Sequence, residues 1–147
     1  MLDISIIGME AVITNLQGIE QRAGNLRPAL LGIGEILTEG TKQRFASATA
    51  PDGEPWAKNS KVTLANKNGA LPLTDEGHLA DSIEPQLLGD NAVEVGSNMV
   101  QAAMMQFGGT KAEFPHLWGD IPARPYLGIS EAEKAEIMEL LGNYLLL

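Results

Sequence analysis

His78 and His116 are the only imidazoles in the chain, and cysteine is absent. Disulfides and thiolate metal sites are thereby excluded. Asp75, Glu76 and His78 form the one place where carboxylates stand beside an imidazole, the residue types that hold a divalent cation or pass a proton. On a helix, positions 75 and 78 lie one turn apart and can share a face. A third neutral ligand is missing, and acids in the first turn of a helix are already favoured by its positive end. The helix-start reading therefore outweighs a small metal-dependent hydrolase. His116 lies between Pro115 and Leu117 with Phe114 and Trp118 close by, which suits the hydrophobic anchor of a loop better than a cofactor box. Gly32-Ile33-Gly34 lacks the third glycine and the preceding strand of a dinucleotide fingerprint, and no phosphate loop, nucleophile elbow or H-E-x-x-H occurs. The residues point away from catalysis, and no cofactor or metal is expected.

The elements that would position these residues can be read from spacing. Ile4, Ile6 and Ile7 suit a short edge strand. Val12, Leu16, Ile19 and Ala23 recur at helical period as an inward stripe, stopped at Gly24-Asn25. Pro28 opens a second helix that carries Leu30, Ile33, Leu37 and Thr41 inward to about Ala48. Gly32, Gly34 and Gly40 weaken it alone but admit a close neighbour. Residues 49–73 are rich in turn formers and read as a long irregular loop holding Trp56. Thr74 caps a short helix through Ser82. Ile83–Leu88 and Ala92–Gly96 flank Gly89-Asp90-Asn91 as a hairpin. Asn98 starts a helix through Gln106 that ends at Gly108-Gly109. Pro125–Ile129 reads as a strand, and Ser130 with Glu133 as a capping box for a last helix burying Ala135, Met138 and Leu140 or Leu141, frayed near Gly142. This order predicts one α+β domain over 1–147: a small, largely antiparallel sheet packed with four to five helices, with irregular stretches at 49–73 and 109–120.

The 147 residues suit a single core. A formal charge of -9 argues against wrapping nucleic acid, because phosphate binding needs clustered Lys and Arg. Solubility is the simplest reason for such acidity, and a DNA-repelling lumen is also compatible with it. No apolar run approaches a membrane span, and Met1-Leu2-Asp3 lacks the basic start of a secretory signal, so a soluble chain made in the cytoplasm is expected.

Four segments carry a resemblance. Arg44-Phe45 is followed by Pro51-Asp52-Gly53-Glu54-Pro55-Trp56 and Ser60, an R-F, P-D-G-x-x-W, Ser series. Leu73 to Ile83 follows L-x-x-T-G-x-L-x-x-S-I. Val95-Gly96-Ser97 precedes Ala102-Ala103 and Gln106-Phe107-Gly108-Gly109. Ile121-Pro122-Ala123-Arg124-Pro125-Tyr126-Leu127-Gly128-Ile129-Ser130 is nearly in register with I-P-A-R-P-F-L-G-I-S. Across roughly residues 44 to 145 the chain resembles the phage virion morphogenesis family, the tail-completion proteins of Mu-like and related phages. It departs from the pattern at Glu76, Gln101 and Met105, changes that favour packing over a polar site in those places.

The resemblance implies a structural virion protein of the neck or tail end. Such a subunit would complete the tail and meet the tail tube and head connector as a ring of copies, a homo-hexamer matching the tube, with DNA passing through its lumen. Closed rings need two different complementary patches per subunit. The stretches 49–73 and 109–120 are the candidates, with Trp56, Phe114, Trp118 and Arg124 as interaction residues. Each has an internal alternative. The tryptophans can cover the core, and Arg124, with five donors between Pro122 and Pro125, can fix a strand within the chain. A head assembly factor not retained in tails would share these motifs. An acidic regulator of a host protein would share only the charge.

Overall fold

The computed structural model describes residues 9–66, 71–74, 77–117 and 119–146. Among them run α1 (Met9–Ala23), α2 (Arg27–Ser47), α3 (Lys61–Asn66), α4 (His78–Asp81), β1 (Glu84–Leu88), β2 (Ala92–Gly96), α5 (Ala102–Phe107) and α6 (Glu131–Leu146). The fold is α+β, with β1 and β2 forming a two-stranded antiparallel hairpin from Glu84↔Gly96 to Leu88↔Ala92. The suggested strand at Ile4–Ile7 lies outside the described residues.

Helix α2 is the central strut, and its glycines decide what lies against it. A Cβ on Gly34 would sit 2.8 Å from Pro85, one on Gly32 would sit 2.7 Å from Leu140, and one on Gly40 would overlap the Glu133 carboxylate. The hairpin and α6 thus approach α2 more closely than any side chain would allow. Proline at its start and a left-handed Ala48 at its end, φ 54°, bound the helix as its sequence implies. Arg22 closes the other side, donating from Nε and Nη2 to the Leu145 carbonyl at 3.0 and 2.7 Å. A cation is thereby placed at the negative end of α6. Tyr144 Oη donates to the Asn25 carbonyl beside it.

The core collects Phe45, Trp56, Leu79, Ile83, Ala102 and Tyr126. Phe45 meets Trp56 edge-on with centroids 5.6 Å apart and Tyr126 at 5.2 Å, geometries that suit the aromatic quadrupole.

Several local readings are corrected. On α1, Val12, Leu16 and Ala23 are exposed and only Ile19 of the stripe is half-buried, because α6 covers one flank of the helix. On α6, Ala135 and Met138 face solvent, while Ile137, Leu140, Leu141 and Tyr144 turn partly inward. The helix also runs past Gly142 to Leu146. α4 begins only at His78, after Gly77 at φ 82°. α5 begins at Ala102, because Ser97 Oγ accepts from the Met99 amide and holds the preceding residues in a turn. The 49–73 stretch contains α3 and a tight turn closed by the Thr49↔Pro55 bridge. Residues 125–129 are extended but belong to no sheet, for reasons that the next subsection gives.

Candidate functional site

The Pro-Asp-Gly turn forms as its residues dictate. The Glu54 amide donates to Asp52 Oδ1 at 3.0 Å, the Gly53 amide to the Ala50 carbonyl at 2.9 Å, and the Trp56 amide to the Ala48 carbonyl at 2.8 Å. This hairpin-like return aims Trp56 back at the core, where it is 5% exposed and donates from Nε1 to the Pro125 carbonyl at 2.7 Å. Pro51, at the tip of the same turn, lies over Gly128, where a Cβ would sit 2.6 Å from the Pro51 ring.

Segment 124–128 therefore runs along side chains rather than along a strand. Pro125 keeps it extended and removes one of its amide donors, and Pro122 does the same for the approach to it. Its remaining polar groups find partners elsewhere. Arg44 Nε donates to the Tyr126 carbonyl at 2.7 Å, and its Nη2 to the Gly128 carbonyl at 3.1 Å. Gln106 Oε1 accepts the amides of Tyr126 and Leu127 at 3.0 Å each, while its Nε2 donates to the Leu127 carbonyl at 3.1 Å. The Arg124 amide reaches the Met105 carbonyl at 2.9 Å. One arginine and one glutamine thus do what a neighbouring strand would do, which is why an apolar, β-prone segment is not a β-strand.

Arg44 also forms a buried ion pair. Its Nη1 lies 2.5 Å from Glu133 Oε1, and its Nη2 donates to Thr41 Oγ1 at 3.1 Å. The other oxygen of Glu133 accepts the Ser130 amide at 2.8 Å, and Ser130 Oγ accepts the Glu133 amide at 3.1 Å. The capping box is present, and its carboxylate serves the helix end and the arginine together. Tyr126 is wholly buried, with its hydroxyl donating to the Ala102 carbonyl at 2.7 Å, and burial raises its phenol above the ordinary value.

The candidate interaction residues divide. Trp56 is core. Arg124 is 8% exposed and grips the Ala57 and Lys58 carbonyls at 2.8 and 3.1 Å. Burial lowers its pKa, although an arginine remains a cation at neutral pH. Both side chains are thus committed to partners within the chain, as the internal alternative for each expects. Phe114 is partly exposed, edge-on to His116 and against Gly109, in a loop whose ends are pinned by mutual Gly109 and Ile121 hydrogen bonds of 2.9 and 2.7 Å. Trp118, Asp75 and Glu76 lie outside the described residues, and His78 is exposed at the start of α4. Among the described residues, no three acids or histidines are grouped to hold a metal ion, and no helix is long and apolar enough to cross a membrane. Sequence reasoning missed Gln106 and the pairing of Arg44 with Glu133. The one available signal was that both lie in or beside motifs singled out for other reasons.

These contacts bring together three of the four segments that carried the resemblance. Comparison with known proteins agrees: residues 7–146 match the phage virion morphogenesis family. The chain belongs to that family. Among relatives, this virion morphogenesis protein is 28% identical over 144 residues to Mu-like prophage FluMu G protein 2 of Haemophilus influenzae, covering 98% of this chain and 96% of that protein. It is 36% identical over 111 residues to the putative capsid assembly protein G of Escherichia phage Mu, covering 71% of this chain and 70% of that one. No solved structure matches it. Family membership gives the chain a structural part in the assembly of a phage virion.

Proposed function

We propose that this chain is a ring-forming structural subunit of the phage neck or tail end, which completes the tail and joins it to the head connector while DNA passes through. The observation that carries this reading is where the motif residues point. Arg44, Trp56, Gln106, Arg124, Tyr126 and Glu133 all turn inward and hold segments of their own chain. What remains for function is outer shape and charge, which is what an assembly subunit uses. Large apolar side chains also stand exposed on several separate elements. Among them, Val12, Ile13 and Leu16 lie on α1, Val100 just before α5 and Phe107 at its end. Exposed apolar groups at separate places on one subunit suit the heterologous contacts that close a ring. A charge of -9 per copy suits a lumen that lets DNA slide without holding it.

A second reading, a head assembly factor, is favoured by the phage Mu relative, a putative capsid assembly protein. Fractionating particles separates the two. Mass spectrometry of purified tails should find the chain at ring stoichiometry relative to the tube protein. Recovery only from proheads would transfer the assignment to the head.

A further inference from the structure

The ten basic residues of this chain are unevenly placed. Arg44 and Arg124 are buried in internal bonds, Arg22 caps α6, and Arg27 faces Asp90. Residues 55–74, in contrast, hold Lys58, Lys61 and Lys67 and no acid at all, a local charge of +3 in a chain of -9. Lys58 and Lys61 are exposed, and among the described residues neither reaches a carboxylate of its own chain. The Ala57 and Lys58 carbonyls are fixed by Arg124, so the part of this strip at Lys58 stands on an anchored base.

The opposite charge is concentrated in a groove of about 570 Å³ between α2, the opening turn of α6 and the Pro-Asp-Gly turn. Glu35, Glu39 and Glu136 line it, with Ile36, Pro51 and Ala132 supplying apolar wall. Among the described residues, none of these three carboxylates has a cationic partner, and Lys42 and Lys134, which lie on the same helices, do not line the groove. The floor is the Arg44–Glu133 pair, already neutralised. Copies this acidic repel one another, so a contact that sets free cations, such as Lys58 and Lys61, against carboxylates is favoured over one that does not.

Resting on the ring reading, we infer that the basic strip of one subunit, with Lys58 and Lys61, docks into the Glu35–Glu39–Glu136 groove of the next copy. The two surfaces are different and complementary, as a closed ring requires. The occupant is a second copy of this chain, because the chain itself carries both halves of the contact.

Charge reversal tests this. Wild type, Glu39→Lys, Lys61→Glu and the double reversal are compared by size exclusion with light scattering across protein concentration. The same four are scored for the yield of particles in cells whose phage lacks the gene. Both positions are exposed, so unchanged circular dichroism and melting should certify folding. Each single reversal should weaken association roughly tenfold or more and depress particle yield. The double reversal should recover both. An equal mixture of the two single variants should also recover assembly, as alternating rings, because each groove then meets a neighbour of opposite sign. Rings that form normally from both single variants, or losses that neither the double reversal nor the mixture rescues, would overturn this contact and leave the ring reading standing. A wild type that stays monomeric in solution and is absent as a ring from particles would end both.

Discussion

Arg44 is the residue on which most of the interior depends. Replacing it by Met leaves Glu133 as a buried carboxylate and strips the Tyr126 and Gly128 carbonyls of their donor. Breaking one side of a buried pair costs about 3–5 kcal/mol. Urea denaturation of Arg44→Met should show a loss of that size. Adding Glu133→Gln should return part of it, since the charge is gone and an amide oxygen still serves the capping box. Equal stability of the single and double variants would mean that the stranded charge is not what matters. Tyr126 gives a pH signature. Its folded phenol is raised by burial above an ordinary value near 10. Below that value both folded and unfolded chains are protonated and stability does not respond to this group. As pH climbs through about 10 toward the raised folded value, the unfolded chain ionises first and stability falls. Tyr126→Phe should lose about 1–3 kcal/mol at neutral pH for the orphaned Ala102 carbonyl and should flatten this alkaline decline. At this scale the sequence was only half legible. Arg44 and Arg124 stood out by motif and type, but their partners lie 82 and 67 residues away and follow no period that a linear reading can use.

Helices and turns were more readable, because their causes are local. Pro28 at the start of α2, the capping box of α6 and the Gly89-Asp90-Asn91 hairpin loop each specify their own neighbourhood. Failures came where a distant group overrode local preference. Pro125–Ile129 has strand composition, yet Gln106 and Arg44 occupy the hydrogen-bonding positions that a strand would need. The α1 stripe has helical period, yet most of it faces outward, since periodicity shows that a face is apolar and not what covers it. The glycines of α2 allow an element-scale test. Gly40→Ala should gain about 1 kcal/mol of helix propensity. The new methyl would, however, collide with a Glu133 carboxylate that Arg44 and Ser130 hold in place. Net destabilisation in thermal melts is expected, whereas a stabilised variant would show that α6 can step aside.

For the whole molecule, charge governs how copies meet. Repulsion between subunits of charge -9 acts at long range, while contacts between single lysines and carboxylates act close in. The screening length shrinks from about 30 Å at 0.01 M salt to about 8 Å at 0.15 M and about 3 Å at 1 M. Sedimentation should show association rising from low to physiological salt, then falling toward 1 M as the close pairs weaken too. A salt-independent oligomer would remove charge from the account and leave apolar burial as its cause. Fold class and family were legible here because they rest on many weak signals in agreement, whereas the partner of each surface is written in no single chain.

The long reach of Arg44 has a consequence in time. Its carbonyl and carboxylate partners emerge from the ribosome 82 and 89 residues after it does, a delay on the order of ten seconds at bacterial synthesis rates. Until then the amino-terminal half has a strut but no closed interior. A prematurely terminated product lacking the last helix would leave the Arg44 guanidinium without its carboxylate partner, and limited proteolysis should cut it faster than the full chain. The bond that completes the subunit thus also acts as a check on its length.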